Sequence, residues 1–392
     1  MKILRYLGYL IFLPIWWLGR LVPRKKNLWI FGAWYGKKYS DNSKYLYEYV
    51  LEHHPEIDAI WITKSTDVFS RLKSEGKKVY LSNSLGGSFS CLFAKYAFLT
   101  SGVVDVNPLC LNGCKQIWLW HGMPLKKIGY CDDLSNGITK VKSLLISLLN
   151  PYHKLNPYCT LTSADFFTPF LMEAFRIPED KIWRTGLPRC DAFFNNGREI
   201  YVDRLKEKYP SAKIMLYLPT FRMSSRMDGM PFVPFVSDFG FNEQEFIDFL
   251  EQENIVFLYK PHFVDSAVKI NINIPRFQLL SDGDFSDLYV LLNNVDGLIT
   301  DYSSVYFDFL ATCKPIYLLT FDYDEYVANS RSHFFDMKTE MHGKFCNDWK
   351  EFYEMVKDKN DFCDLTIDQI KFASFLKGET CKNVVEKVCS DF

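Results

Sequence analysis

The sequence has a formal net charge of only −1 and lacks a long hydrophobic run. Its 392 residues carry 46 Lys and Arg against 47 Asp and Glu, so no overall field favours binding to nucleic acid. The N-terminal run without charge, from Tyr6 to Gly19, has fourteen residues, whereas a bilayer-spanning helix needs about 20. No small residues precede a cleavage position in 21–25, which argues against a signal peptide.

The cysteines lack any metal-binding or disulfide pattern. There are eleven, an odd number, and no two are spaced as in a CxxC motif. Several, including Cys91 and Cys313, lie within apolar runs. This usage indicates reduced thiols in a reducing compartment, and neither metal ligation nor disulfides are expected.

The N-terminal segment 1–26 combines aromatic and basic residues. Trp16 and Trp17 lie close to Arg20, Arg24 and Lys25, and no acidic residue occurs before position 41. Tryptophan favours the headgroup region, and each nearby cation adds roughly 1 kcal/mol of attraction to an anionic leaflet. We expect a monotopic association with the cytoplasmic face of a bacterial cell membrane; the alternative is a helix packed on the protein's own body.

The whole chain is 48% hydrophobic and 24% charged, and beyond residue 26 it alternates short apolar runs with helical patterns. This alternation predicts an α/β fold with parallel sheets in two successive halves, 27–197 and 198–392, with a cleft between them and the polar stretch Asn195–Lys208 as a hinge. Helices are predicted at Lys44–Leu51, Thr66–Glu75 and, with an amphipathic pattern, 138–149. The predicted strands are Leu28–Phe31, Asp58–Thr63, Lys78–Leu81, Ala97–Ser101, Gln116–Trp120, Thr160–Ser163, Ile182–Thr185, Ile214–Leu218, Val256–Lys260, Phe277–Leu280, Gly297–Thr300 and Ile316–Leu319.

A histidine follows the most aromatic of these strands. Gln116–Trp120 runs into His121 and Gly122, and the lysines Lys126 and Lys127 follow. Functional groups in open α/β sheets lie at such strand ends. With an ordinary pKa near 6.5, a fixed imidazole can act as a general base worth roughly 10²–10⁴ in rate. The alternative is a histidine that caps a turn.

The first strand ends in a glycine-containing turn that leads to Ser40, Asp41 and Asn42. These three residue types favour helix N-caps, and the turn does not match the GxGxxG fingerprint. We interpret it as a structural turn beside an acceptor-binding cleft. The residues expected on the acceptor side are Ser40, Asp41, Asn42, Gly122, Lys126 and Lys127.

Three strand ends in the second half carry anion-binding groups. Thr220 and Arg222 follow one strand and Lys260 and His262 follow another, whereas a helix start with two serines follows the third. Separately, each set could be a solvated strand end or a helix cap. Together they predict a diphosphate-binding site, in which Ser303 and Ser304 supply the helix start.

The ordered set of motifs closely resembles the CDP-glycerol glycerophosphotransferase family, which includes teichoic acid primases and polymerases and capsule polymer transferases. The resemblance covers roughly residues 28–375. Its motifs are Tyr39–Tyr45, Leu119–Gly129, Pro219–Arg222, Lys260–His262, Thr300–Ser304 and Arg331–Asp336.

The resemblance implies a GT-B-like pair of Rossmann-type domains that face a cleft. It also implies transfer of glycerol phosphate from CDP-glycerol to a lipid-linked acceptor, with release of CMP. His121 would be the general base, His262 and Arg222 would hold the donor pyrophosphate, and Asp301 would orient a donor hydroxyl or a catalytic group. No cofactor is expected to be required, with a divalent cation optional. Two residues depart from the family pattern: Met123 replaces a small polar residue, and Phe263 replaces a proline.

Alternative functions remain open at this point. The sequence does not distinguish CDP-glycerol from CDP-ribitol as the donor, because both present a primary alcohol phosphate to the same pyrophosphate site, and it does not distinguish a primase from a polymerase. A GT-B glycosyltransferase would release a nucleoside diphosphate instead of CMP. A membrane-tethered assembly factor without activity would keep the fold, although the retained histidines, arginine and serines argue against it.

Overall fold

The computed structural model describes residues 13–14, 16–132, 150–220, 233–261, 272, 274–329, 332–358 and 365–390. The predicted amphipathic helix at 138–149 lies outside these ranges, as do Arg222, His262 and Phe263. The chain packs into two compact units. The first comprises the chain up to Met123, Ile128–Asp191 and the chain from Phe375, and the second comprises Pro124–Lys127 and Ala192–Ser374.

The first unit is built on a seven-stranded parallel sheet with the order β3-β2-β1-β4-β5-β6-β7. This order reverses between β1 and β4, the position at which functional groups collect in doubly wound folds. Its strands are β1 (Lys25–Gly32), β2 (Asp58–Thr63), β3 (Val79–Leu81), β4 (Ala94–Leu99), β5 (Lys115–Trp118), β6 (Cys159–Leu161) and β7 (Ile182–Trp183).

The second unit contains a six-stranded parallel sheet with the equivalent order β10-β9-β8-β11-β12-β13. The residues of β9 are all buried and apolar or aromatic, as is typical of a strand covered on both faces. The strands are β8 (Lys213–Tyr217), β9 (Ile255–Tyr259), β10 (Phe277–Leu279), β11 (Gly297–Thr300), β12 (Ile316–Leu319) and β13 (Lys344–Cys346).

Helices connect the strands, and several begin at side-chain caps. Ser65 accepts a hydrogen bond from Val68 N, and Asp287 accepts one from Tyr289 N. Such caps satisfy amide groups that the first turn leaves unpaired. The helices are α1 (Asp41–His53), α2 (Thr66–Ser74), α3 (Leu85–Phe93), α4 (Thr168–Phe175), α5 (Ile200–Lys208), α6 (Glu243–Gln252), α7 (Leu288–Asn294), α8 (Val305–Phe309), α9 (Tyr323–Asn329), α10 (Met337–Glu340), α11 (Trp349–Lys357), α12 (Thr366–Phe372) and α13 (Thr380–Cys389).

Aromatic side chains fill the core of the second unit. Phe246, Phe257, Trp349 and Phe352 are fully buried there, and the ring of Phe235 stacks on that of Trp349 with centroids 5.3 Å apart. Each such side chain contributes roughly 1.5–3 kcal/mol by leaving water. Aromatic residues make up 17% of the sequence, and these members of the set serve packing.

Each predicted strand is present, with ends that differ by up to three residues, and the α/β class is confirmed. The hinge predicted at Asn195–Lys208 is wrong over its second half, because α5 is a regular helix that buries Val202 and Leu205. The short strand β13 was not predicted. We expected the second domain to extend to residue 392, but the chain from Phe375, including α13, packs in the first unit.

Within the described ranges, we find no helix with the length and hydropathy needed to cross a bilayer.

Candidate active site

His121 lies three residues beyond the end of β5, in a turn with an unusual backbone. Trp120, which precedes it, has a positive φ of 56°, and Gly122, which follows it, has a φ of 142°. Side-chain-bearing residues rarely adopt either conformation, and strain of this kind is concentrated at functional sites. Gly122 is therefore required for the turn that presents the histidine.

A hydrogen bond and contacts with neighbouring rings orient the imidazole of His121. Its Nδ1 lies 2.9 Å from the carbonyl oxygen of Thr100, at the end of the neighbouring strand β4. The rings of Trp34 and Trp120 lie 5.5 and 4.4 Å from it, centroid to centroid. Because a carbonyl only accepts, Nδ1 carries the proton, and the neutral ring has its lone pair on Nε2. This is the tautomer that a base acting through Nε2 requires.

Thr100 belongs to a loop organised by the buried carboxylate of Asp105. This carboxylate accepts hydrogen bonds from the backbone amides of Thr100 (2.8 Å), Ser101 (2.7 Å) and Tyr35 (2.7 Å). Burial raises the pKa of Asp105 to about 6, while the three amides act in the opposite direction. Asp105 is thus charged at neutral pH inside the unit that contains His121.

Asp41 and Asn42, at the start of α1, form hydrogen bonds that hold the helix against the His121 turn. The Asn42 amide donates to the carbonyls of Leu119 (3.2 Å) and Trp120 (2.8 Å). Asp41 accepts a hydrogen bond from the Trp34 indole at 3.0 Å and forms an ion pair with Arg189 at 2.8 Å. Asp41 and Asn42 are buried, so their side chains position the turn.

Ser40 occupies the N-cap position of α1 without a side-chain capping bond. Its predicted contact with an acceptor, like those of its neighbours Asp41 and Asn42, stays a prediction.

The segment that follows His121 leaves the first unit. Met123 is buried, with its sulfur 3.8 Å from the Thr162 hydroxyl, so the departure from the family pattern at this position serves packing. Residues 124–127 pair with residues 332–334 of the second unit, where Lys127 N donates to Ser332 O and Phe334 N donates to Leu125 O. Lys126 and Lys127 belong to this paired segment, and their acceptor-side role stays a prediction.

In the second unit, Asp301 joins the ends of the two central strands. Both of its carboxylate oxygens accept from Thr220 N, at 2.9 and 3.0 Å, and one also accepts from Tyr302 N at 2.6 Å. The Thr300 hydroxyl donates to Leu218 O at 2.7 Å. The structure thus brings together the predicted residues Thr220 and Asp301 at the edge where the strand order reverses.

Ser303 and Ser304 follow directly, at the start of α8. The helix has five residues, and Ser304 adopts a helical conformation without a side-chain cap bond. The weak cap comes instead from the Ser303 hydroxyl, which accepts from Val305 N at 3.4 Å. The serines are half-buried beside Asp301, and their contact with a phosphate stays a prediction.

Lys260 directly follows β9, and its ammonium forms an ion pair. Its Nζ lies 2.8 Å from Asp282, and the lysine side chain is only 14% exposed. An anionic ligand must therefore compete with Asp282 for this charge. Arg222 and His262, which sequence reasoning placed beside Lys260, fall outside the described ranges.

An open pocket of about 270 Å³ lies elsewhere in the second unit, beyond the end of β12. Its lining includes Asp322, Asp324 and Glu325 against the cation of Lys338. This acidic lining disfavours a diphosphate. In the parts of the chain that the structure describes, no group of three or more His, Cys, Asp or Glu side chains could hold a metal ion.

Sequence reasoning missed the residues that act through tertiary contacts. Asp105, Thr100, Trp34 and Arg189 all support the His121 turn, and Asp282 pairs with Lys260. Trp34 and Asp105 follow predicted strands, and the rule that functional groups lie at strand ends could have indicated them. Nothing in the local pattern indicated that Arg189 pairs with a residue 148 positions away.

Comparison with known proteins assigns this arrangement to a family. The family model for CDP-glycerol:poly(glycerophosphate) glycerophosphotransferases matches residues 17–390. A teichoic acid glycerol-phosphate transferase of Staphylococcus aureus (strain NCTC 8325 / PS 47) is 27% identical over 389 residues, covering 93% of each chain. A teichoic acid poly(glycerol phosphate) polymerase of Bacillus spizizenii (strain ATCC 23059 / NRRL B-14472 / W23) is 27% identical over 384 residues, covering 94% of this chain and 93% of that protein.

The solved structure of the wall teichoic acid polymerase TagF has the same fold. Its TM-score is 0.73 at 21% identity, with coverage of 100% of this chain and 97% of that chain. The similarity confirms the GT-B-like class.

Proposed function

The chain belongs to the CDP-glycerol:poly(glycerophosphate) glycerophosphotransferase family, and we propose that it transfers glycerol phosphate from CDP-glycerol to a lipid-linked acceptor in teichoic acid synthesis. The acceptor hydroxyl oxygen forms a bond to the phosphorus that carries glycerol. The bond from that phosphorus to the bridging oxygen breaks, and CMP leaves with the bonding electrons. The acceptor proton passes to the enzyme.

The observation that carries the proposal is the orientation of His121. Its Nδ1–H is engaged by the Thr100 carbonyl, so Nε2 is the atom that takes the acceptor proton. Phosphoryl transfer depends on positioning and charge neutralisation more than on covalent chemistry. A base held in one tautomer and in contact with two indole rings suits that requirement.

The donor side of the proposal rests on the second unit. Thr220, Asp301, Ser303 and Ser304 are adjacent at the central strand ends, and Lys260 follows the next strand. We propose that this edge, with Arg222 and His262, holds the donor diphosphate. The positive charges of Arg222, Lys260 and His262 would neutralise the negative charge on the departing CMP. On this proposal no cofactor is required, and a divalent cation is optional.

The membrane part of the proposal is supported by an exposed apolar surface on the first unit. Trp17, Leu18 and Leu21 are 56, 62 and 79% exposed, and Leu85 and Phe89 of α3 are 79 and 54% exposed. The two α3 residues are spaced i, i+4 and share one helix face. Apolar surface of this kind marks a binding site for a partner or a membrane.

Arg24 joins the two parts of this surface. Its guanidinium donates to Cys91 O (2.8 Å), near the end of α3, and to Gly19 O (3.0 Å). Arg20, Lys25 and Lys26 flank the apolar side chains. Basic and apolar groups together suit the anionic cytoplasmic face of a bacterial membrane, where a lipid-linked acceptor is presented.

The decisive assay is CMP release from CDP-glycerol and, in parallel, from CDP-ribitol, with a lipid-linked disaccharide acceptor. His121→Ala should lower turnover by about 10²–10⁴-fold. His53→Ala is the matched control, because the Nδ1 of His53 also contacts a backbone carbonyl, that of Tyr49, but on the exposed face of α1. The His53→Ala variant should release CMP at the wild-type rate.

The donor that supports His121-dependent release identifies the transferred polyol phosphate. Undiminished release by His121→Ala would refute the general-base role. Release of a nucleoside diphosphate from a nucleotide sugar, with no CMP from either donor, would instead assign a glycosyltransferase.

A further inference from the structure

A single peptide group connects His121 to the buried carboxylate of Asp105. The carbonyl of Thr100 accepts from His121 Nδ1 at 2.9 Å, and the amide of Ser101, in the same peptide unit, donates to Asp105 at 2.7 Å. The chain of contacts is imidazole N–H to carbonyl, then amide N–H to carboxylate. Hydrogen bonds in such a chain polarise one another.

The carboxylate also fixes the position of that peptide. Asp105 binds the amides of Thr100 and Tyr35 in addition to Ser101, and the Thr100 hydroxyl accepts from Trp34 N at 3.1 Å. Asp105 is fully buried, and Lys64 donates to the adjacent Val104 carbonyl at 2.6 Å. Removing the carboxylate would release the peptide that holds the histidine.

We propose that Asp105 is a positioning residue for His121, acting through the 100–101 peptide to hold the imidazole in the Nδ1–H tautomer. When Nε2 takes the acceptor proton, the imidazolium keeps its Nδ1–H bond to the Thr100 carbonyl, and the carboxylate charge stabilises it through the peptide. No proton reaches Asp105. The catalytic consequence rests on the proposed function, whereas the tautomer does not.

The first unit offers a matched control in Asp191. This carboxylate is also buried and also accepts two consecutive backbone amides, those of Thr380 (3.0 Å) and Cys381 (2.8 Å). Burial raises its pKa as it does that of Asp105. The carbonyls in the same peptide units are those of Glu379 and Thr380, and no hydrogen bond described here joins either of them to a histidine. Loss of the Asp191 carboxylate therefore measures the effect on stability without an effect on a histidine.

The experiment compares Asp105→Asn with Asp191→Asn in the full chain. Both variants should lose thermal stability. Only Asp105→Asn should lower kcat for CMP release, by about 10–100-fold, with KM for CDP-glycerol within about twofold. Asp105→Glu, which keeps the charge, should recover part of the loss. Equal kcat in Asp105→Asn and Asp191→Asn would overturn the proposal.

A second readout does not depend on turnover. In protein with 15N-labelled histidine, the His121 signals are assigned by their loss in His121→Ala, and wild type should show the Nδ1–H tautomer. Asp105→Asn should populate the Nε2–H tautomer, whereas Asp191→Asn should not. An Nε2–H tautomer in wild type would overturn the proposal even if Asp105→Asn fails to fold. Absence of CMP release by wild type, with the expected tautomers, would refute the proposed function instead.

Discussion

His333 is a residue whose imidazole the fold keeps neutral. It pairs with Lys126 in an isolated antiparallel bridge, and its Nε2 is buried without a hydrogen-bond partner among the described residues. Burial, with repulsion from Lys126, lowers its pKa from near 6.5 to about 4, although Asp336 acts in the opposite direction. The pairing of residues 124–127 with 332–334 therefore includes a proton-sensitive group.

This shift predicts acid sensitivity of the second unit. Between about pH 6.5 and 4 the unfolded chain binds a proton at His333 that the folded chain does not, so stability falls as pH falls through this window. The full effect is on the order of 3 kcal/mol. His333→Phe should flatten the dependence, measured as unfolding free energy from pH 7 to pH 4.5.

The exposed His53 on α1 supplies the comparison for that measurement. His53→Phe should leave the slope unchanged. An equal slope in wild type and His333→Phe would show that the acid sensitivity arises from other groups.

At the scale of elements, α3 connects the first sheet to an exposed surface. Its inner face buries Ser90 and Cys91, and its outer face exposes Leu85 and Phe89. Gly87 allows the close approach on the inner side, because a Cβ there would lie 2.1 Å from Leu81 O. The helix is therefore rigidly seated with two large apolar side chains directed outwards.

Replacing Leu85 and Phe89 by glutamate should weaken binding to vesicles that contain anionic lipid. The loss should be at least about tenfold, since burial of each side chain is worth roughly 1.5–3 kcal/mol and the new charges are repelled. Co-sedimentation at low and high salt measures it, and the attraction should fall with salt.

The matched control lies on α12 of the second unit. Ile367 and Ile370 are 55 and 69% exposed, and glutamate at both positions should leave vesicle binding unchanged. Unaltered binding of the α3 variant, or an equal loss in both variants, would exclude α3 from the membrane contact.

At the scale of the whole molecule, the C-terminal helix returns to the first unit. Helix α13 packs against α1 and buries Val384, Val385 and Val388, and Asp191 accepts from the amides at its start. The first unit therefore contains segments that precede and follow the second unit in the sequence.

Val384→Ala should destabilise the first unit by about 1–3 kcal/mol through lost burial and a residual cavity. Hydrogen exchange should show lost protection in β1 and β4 with β8 and β11 unaffected. Val295→Ala, at a fully buried position of the second unit, should give the reverse pattern. A uniform loss in either variant would mean that the two units unfold together.

Local sequence determined most of the strands and the strand-end positions of several candidate functional residues. Runs of four to six mainly apolar residues identified twelve of the thirteen strands, because a strand buried on both faces has apolar side chains at consecutive positions. The strand-end rule located His121, Thr220 and Lys260, and the ordered motifs identified the family confirmed by the match over 17–390. The strand β13 was missed; its segment Lys344–Cys346 contains two apolar residues, which lie between Lys344 and Asn347.

Only the tertiary structure decided what those groups contact. Asp41 and Asn42 fit a helix cap locally, yet their side chains bind Arg189 and the Trp120 carbonyl, 148 and 78 residues away. The partners of His121 and Asp191 are likewise set by which strands and helices become neighbours. A local pattern reports burial and turn geometry, whereas the partner of a buried polar group depends on how distant segments pack.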